Sequence, residues 1–146
     1  VRFYSYADPL FPDDGEEFRA IQYFRREVDI ETGEETSTPI SKVERLPGSI
    51  VILNDPDYST LVTSPEVVKS SPIELSPEVQ EARYSSFLFL PNGSAELSDT
   101  EPGAWFLTLV EKNSLVESGG GLPSNYVVLQ IEPFTGAIRR LQPRAG

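Results

Sequence analysis

The sequence predicts a mainly β chain of antiparallel sheets joined by hairpins. Three observations predict it. First, thirteen prolines and ten glycines in 146 residues interrupt the chain too often for long helices. Second, the apolar runs are short and rich in β-branched and aromatic residues, as at 50–53 (IVIL), 104–110 (AWFLTLV) and 126–131 (YVVLQI). Third, these runs are bounded by clusters of Asn, Asp, Pro and Gly that suit turns.

Taken in chain order, residues 17–30 (EFRAIQYFRREVDI) read as a strand. Phe18, Ile21 and Val28 also fit a helical spacing, but Glu31-Thr32-Gly33-Glu34 is a glycine turn that suits a hairpin, with the return strand at 39–44. Arg45 to Ser49 lead into a strand at 50–53, which Asn54-Asp55-Pro56-Asp57 ends as a turn. Residues 64–83 read as a surface excursion. Its first part is rich in proline and serine and carries Glu66, Lys69 and Glu74; Ser76-Pro77 then predicts a short helix to about Arg83, with serine as N-cap and proline at the first helical position. In the C-terminal half, a strand at 86–90 ends in the hairpin turn Pro91-Asn92-Gly93-Ser94. Strands follow at 104–110 and 126–131, separated by the flexible loop Ser118 to Gly121. Pro133-Phe134-Thr135-Gly136 turns the last of these into residues 137–141.

Successive strand residues point to opposite faces. In residues 104–110 that puts Trp105, Leu107 and Leu109 on one face and Phe106, Thr108 and Val110 on the other, so both faces are largely apolar. Residues 87–90 and 126–131 behave alike. A sheet with one wet face alternates apolar and polar residues. This one does not, so both faces need cover, and the chain offers no long amphipathic helix to supply it. The chain also opens at Val1 and holds no methionine, which predicts a processed product or an excised piece. A helix N-terminal to Val1 accounts for both observations.

Length and composition fit a single domain over residues 1–146, with a core of its own. A net charge of −11 argues against nucleic-acid backbones and anionic membrane surfaces as partners. No run of eighteen apolar residues and no signal peptide is present. With no histidine and no cysteine, histidine-based general bases, Ser-His-Asp triads, thiolate nucleophiles and the usual zinc sites are excluded. Gly119-Gly120-Gly121 lacks the lysine and hydroxyl residue of a phosphate loop. Carboxylates remain: Asp13, Asp14, Glu16 and Glu17 in one cluster, Asp55 and Asp57 in a turn. Oxygen-rich loops of this kind can take calcium, which makes Asp55 and Asp57 candidate ligands, although an acidic run is more often a solvated surface. Paired carboxylates also hydrolyse glycosides, but nothing here fixes two of them at a defined separation. The expectation is no catalytic residue, no cofactor and no enzyme. Asn92-Gly93-Ser94 fits a glycosylation sequon and, better, a turn. Trp105 can stack on a ligand, but inside an apolar strand it belongs to a core. Phe3, Tyr4 and Tyr6 suit an aromatic contact patch or the seat of a helix. Arg139, Arg140 and Arg144 can pair with acids of a neighbouring subunit or stay on the surface.

Four pieces, in order, resemble the globular heads of prepilin-like proteins, in particular the minor pseudopilin (GspH/FimT) group. They are Leu46-Pro47-Gly48-Ser49-Ile50-Val51, Phe87-Leu88-Phe89-Leu90-Pro91-Asn92-Gly93-Ser94, Phe106-Leu107-Thr108-Leu109, and the hairpin from Val127 to Arg139 with its Thr135-Gly136-Ala137-Ile138-Arg139 exit. The likeness spans about Leu46 to Arg140. The opening Arg2-Phe3-Tyr4-Ser5-Tyr6-Ala7-Asp8-Pro9 is similar, more distantly, to cassette-encoded prepilin-like proteins of Verrucomicrobia. The resemblance implies an α+β pilin-like fold when complete, with an N-terminal anchoring helix upstream of Val1. It further implies a filament subunit of a type IV pilus or type II secretion system, held in the inner membrane before assembly, with its head periplasmic or extracellular. Its partners would be other pilin or pseudopilin subunits. Residues 1–7 would be the stub of the helix or the strand after it. Some major pseudopilins bind calcium, which bears on Asp55 and Asp57. The competing expectation is a stand-alone extracellular β-sandwich module that binds carbohydrate or protein.

Overall fold

The computed structural model describes residues 1–63, 69–96, 105–119 and 121–143. Among the described residues thirteen strands and two short helices form, in the order β1 (Arg2–Ala7), β2 (Glu16–Gln22), β3 (Phe24–Val28), β4 (Glu35–Pro39), β5 (Glu44–Arg45), β6 (Ile50–Ile52), α1 (Thr60–Thr63), β7 (Lys69–Ser76), β8 (Val79–Ser86), β9 (Leu88–Phe89), β10 (Ala95–Glu96), β11 (Trp105–Glu111), α2 (Lys112–Glu117), β12 (Val127–Ile131) and β13 (Ile138–Leu141). Nine strands make one antiparallel sheet in the order β13-β12-β11-β6-β2-β1-β8-β7, with β5 paired beside β2. β9–β10 and β3–β4 are separate two-stranded ribbons. The mainly β, antiparallel, hairpin-rich architecture is therefore observed. Among the described residues, no helix is long and apolar enough to cross a membrane.

The middle of the sheet carries a core on each face. One core joins Phe3, Phe18, Ile52, Leu61, Val62, Ala95, Trp105, Leu107 and Ile131. Helix α1 contributes Leu61 and Val62, and is tied down where Ser85 Oγ donates to Leu61 O at 2.7 Å and Phe106 N to Thr60 Oγ1 at 2.9 Å. The Phe87 ring stacks on Phe3 with centroids 5.9 Å apart. The second core joins Tyr4, Tyr6, Ala20, Ile73, Val79 and Ala82, with Val43 and Leu75 packed against it. Phe18 and Ala20 are two apart in one strand yet serve opposite cores. The register explains this: Tyr4 faces Ala20 but Ser5 faces Phe18, so Arg19 is an extra residue. Such a bulge reverses which face the following residues serve.

Several expectations change. The helix foreseen from Ser76 to Arg83 is instead the turn and second strand of the β7–β8 hairpin. Residues 69–83 are accordingly part of the sheet, with Ile73, Val79 and Ala82 buried, rather than a surface excursion; residues 64–68 lie outside the described set. Residues 17–30 form two strands in two sheets, broken at Tyr23, and the return strand begins earlier, at Glu35. The strand foreseen at 86–90 is split at Phe87 between β8 and β9, and Ala104 lies outside the described set. Helix α2 follows β11 where none was foreseen. Of the two forms expected for residues 1–7, a helical stub or a strand, residues 2–7 take the strand, inside the sheet. The cover argument also narrows, because α1 and the β7–β8 hairpin help bury the middle strands from within the chain. Among the described residues of the large sheet, the exposed large apolar side chains are Ile138 and Leu141 of β13, beside the half-buried Val127, Val128 and Leu129 of β12.

Candidate functional site

Three of the six acidic residues singled out above, Asp14, Glu17 and Asp55, are already engaged. Asp55 Oδ1 accepts the Asp57 amide at 2.9 Å, and Asp55 O accepts the amides of Tyr58 (3.0 Å) and Ser59 (2.8 Å). Asp55 therefore caps the turn into α1, while Asp57 stands exposed. In the other cluster, Asp14 pairs with the buried Arg19 and Glu17 with Lys112, leaving Asp13 and Glu16 in solvent. Among the described residues no three acids converge as metal ligands would.

A polar knot lies at the end of β1. Asp8 is 3% exposed. Its carboxylate accepts the Leu10 amide at 2.9 Å and pairs with Arg45. The buried Arg19 guanidinium sits 4.7 Å from the Phe11 ring centroid. Tyr6 OH and Arg19 Nε are buried without a hydrogen-bond partner. Burial pushes the Tyr6 hydroxyl above the ordinary phenol range, opposed in part by the charge of Arg45. Tyr4 is raised too, chiefly by burial, and its hydroxyl donates to Gln22 Oε1 at 2.8 Å. This knot holds β1 to the β5 segment and the loop after Asp8.

Two surfaces have the make-up of contact sites. The first is the β11–β12–β13 end of the sheet. Register pairs Leu109 with Val127, Leu107 with Leu129 and Ile131 with Ile138, so these share a face with Trp105. Val127 and Leu129 are half-buried, and Ile138 is exposed. On the opposite face Val128 pairs with Leu141, half-buried and exposed respectively. Phe134, in the intervening turn, stands almost wholly in water. That turn is fixed by Glu132, whose carboxylate accepts the Thr135 amide and hydroxyl, both at 2.9 Å, and so lies below the usual carboxylate range.

The second surface is a groove of about 860 Å³ lined by Tyr4, Gln22, Phe24, residues 39–43 and Ile73, with Arg2 and Arg45 among its walls. It lies at the foot of the β3–β4 ribbon. Three of the chain's twelve basic residues line it (Arg2, Lys42 and Arg45), and among the described side chains no acidic one does, in a chain with 23 acids. One of the three, Arg45, is already paired with Asp8. The Arg2 guanidinium lies 3.9 Å from the centroid of Phe24 and 4.4 Å from that of Tyr84. The ribbon itself projects with nearly every residue exposed.

The remaining candidates separate cleanly. Trp105 is a core residue. Phe3, Tyr4 and Tyr6 are buried in two different cores, so they form no contact patch. Asn92 Oδ1 accepts from the Ser94 amide (3.0 Å) and hydroxyl (2.7 Å), as a turn residue does. Arg139 and Arg140 stand exposed on β13, and Arg144 lies outside the described residues. The groove was not visible beforehand, because Arg2, Lys42 and Arg45 are brought together only by folding; the one local hint was two cations close together in an acidic chain. Compared with known proteins, the chain matches no family model, no curated protein and no solved structure.

Proposed function

We propose that this chain is the non-catalytic head of a prepilin-like filament subunit, a minor pilin or pseudopilin of a type IV pilus or type II secretion system. The observation that carries the reading is the half-open apolar end of the sheet at β12 and β13. Val127, Val128, Leu129, Ile138 and Leu141 lie on two paired strands, in water or half in it. A long apolar helix laid on the Trp105 face of that end would bury Val127, Leu129 and Ile138, at roughly 25 cal/mol per Å² of apolar surface removed from water, while Val128 and Leu141 look to the other face. The ordered strand-and-turn pieces from Leu46 to Arg140 support the same reading. The head would then sit in the cell envelope, anchored in the inner membrane before assembly, and contact other subunits. A β-sandwich module has less behind it, since the described strands make one large sheet with two small ribbons rather than two facing sheets.

The coding sequence directly upstream of Val1 tests the proposal, together with processing by a prepilin peptidase. A leader ending in glycine, then an apolar helix with glutamate at its fifth position, is the expected result. An ordinary cleaved signal peptide ending at Val1 would overturn it.

A further inference from the structure

The β3–β4 ribbon presents one feature with no use inside its own molecule. Ile30, at its tip, is 100% exposed. The tip is built, not loose. Asp29 Oδ1 accepts the amides of Glu31 (2.8 Å) and Thr32 (2.9 Å), Asp29 N donates to Glu34 O (2.9 Å), and Gly33 N donates to Asp29 O (2.8 Å). Gly33 takes the left-handed φ of 71° that this closure needs. A structured turn thus holds one aliphatic side chain in water, ringed by Asp29, Glu31, Glu34 and Glu35, with no basic residue between Asp29 and Ser41. Isolated two-stranded ribbons are marginal on their own. The ion pairs Arg25–Glu27 (3.0 Å) and Arg26–Glu35 (3.1 Å) are too exposed to add much.

At the foot of the same ribbon lies the complement: an apolar groove of Tyr4, Phe24, Ile40, Val43 and Ile73 walled by Arg2, Lys42 and Arg45. Lys42 makes no ion pair among the described residues. A five-residue strand spans about 17 Å, so a molecule's own tip cannot fold back into its own groove. We propose that the occupant of the groove is a second copy of this chain. Two copies lie with their β3–β4 ribbons antiparallel about a two-fold axis. Each Ile30 enters the partner's apolar groove while the acids around it face the partner's cations. Tip and groove sit at opposite ends of one ribbon, so a single antiparallel arrangement satisfies both contacts at once. The second contact forms at high effective concentration once the first is made. A two-fold contact of this kind closes on itself and gives a dimer, not a fibre. The inference does not rest on the filament proposal, because it uses the opposite end of the sheet from β12 and β13.

Sedimentation velocity over a concentration series tests it. The expected result is a monomer–dimer equilibrium that weakens as salt rises. Glu31→Lys and Lys42→Glu should each weaken the dimer tenfold or more, and Glu31→Lys/Lys42→Glu together should restore it. Ile30→Asp should abolish it. All three positions are exposed, so circular dichroism melts should match the parent chain and exclude misfolding as the cause. A chain that stays monomeric throughout, a dimer indifferent to the charge swap, open-ended oligomers, or a groove that takes only an unrelated acidic peptide would each overturn it.

Discussion

Replacing Gly136 with alanine should uncouple two parts of the C-terminal half. A Cβ at Gly136 would lie 2.2 Å from the Gly93 carbonyl oxygen. That atom is backbone and cannot rotate aside, so the β9–β10 turn must retreat by about 1 Å to reach ordinary contact. The retreat breaks the 2.7 Å hydrogen bond from the Ala95 amide to Pro133 O and loosens the Phe87–Phe89 edge contact (centroids 5.0 Å). Stranding the amide costs about 1–3 kcal/mol, and the aromatic pair adds about 0.5–1 kcal/mol. Alanine at the positive φ of 66° adds strain of about 1–2 kcal/mol, partly offset by the narrower unfolded ensemble. Gly48→Ala is the matched control. Gly48 has φ 57° and nothing within 4 Å of its would-be Cβ, so it carries the backbone strain without the clash. The expected difference between the two variants is about 1.5–4 kcal/mol, read by urea denaturation. In thermal melts that is about 5–12 °C for a domain of this size. Equal losses in Gly136→Ala and Gly48→Ala would refute the reasoning, since the turn-on-turn contact would then carry no weight.

Tyr6→Phe should be neutral or stabilising by up to about 1 kcal/mol in urea, because it removes a buried hydroxyl that has no partner; a loss above that would contradict the burial account. Both Tyr4 and Tyr6 are raised above the ordinary phenol value, so the folded state favours their neutral forms. Their contribution is complete below the unfolded pKa of about 10 and disappears as pH rises through the folded values. Melting temperatures should therefore hold steady up to about pH 10 and then fall, and fall less in Tyr6→Phe. Arg45→Ala leaves the carboxylate of Asp8 buried without its cation and should cost about 2–4 kcal/mol. Adding Asp8→Asn should recover a large part of that loss in the same denaturation assay; no recovery would show that Arg45 acts through packing instead.

What was legible in the sequence was whatever a few neighbouring residues determine. The turns at Glu31–Glu34, Asn54–Asp57, Pro91–Ser94 and Pro133–Gly136 stand where Asn, Asp, Pro and Gly placed them, and the apolar runs between them form strands. Ser76-Pro77 misled for a reason the geometry makes plain. Ser76 Oγ accepts the Val79 amide at 3.2 Å, the same three-residue reach a helix N-cap uses, but here it closes a hairpin turn. Buried Val79, Ala82 and Ser85 then recur every third residue, which imitates a helical stripe on a strand of the sheet. Strand pairing decides between the two: with β7 on one side, and on the other with Arg2–Ser5 of β1, some eighty positions away. The groove was illegible for the same cause: its cations come from β1, β5 and the loop after β4. That residues 126–131 are apolar on both faces was legible from their lack of alternation; that Ile138 and Leu141 of β13 would stand exposed was not. The cover over the middle strands was not, because α1 and β7 reach it by tertiary packing.

The extra residue at Arg19 has a consequence for how this protein would be traced among others. Upstream of it, residues of one parity in β2 look toward Trp105; downstream, the same parity looks toward Ile73. A relative that had lost the insertion would need the rest of that strand rewritten, apolar for polar, to keep both interiors filled. Aligning such a pair by hydrophobic pattern would slip by one position in the middle of a strand, where gaps are ordinarily forbidden. Divergence at this point would thus erase sequence likeness faster than it erased shape.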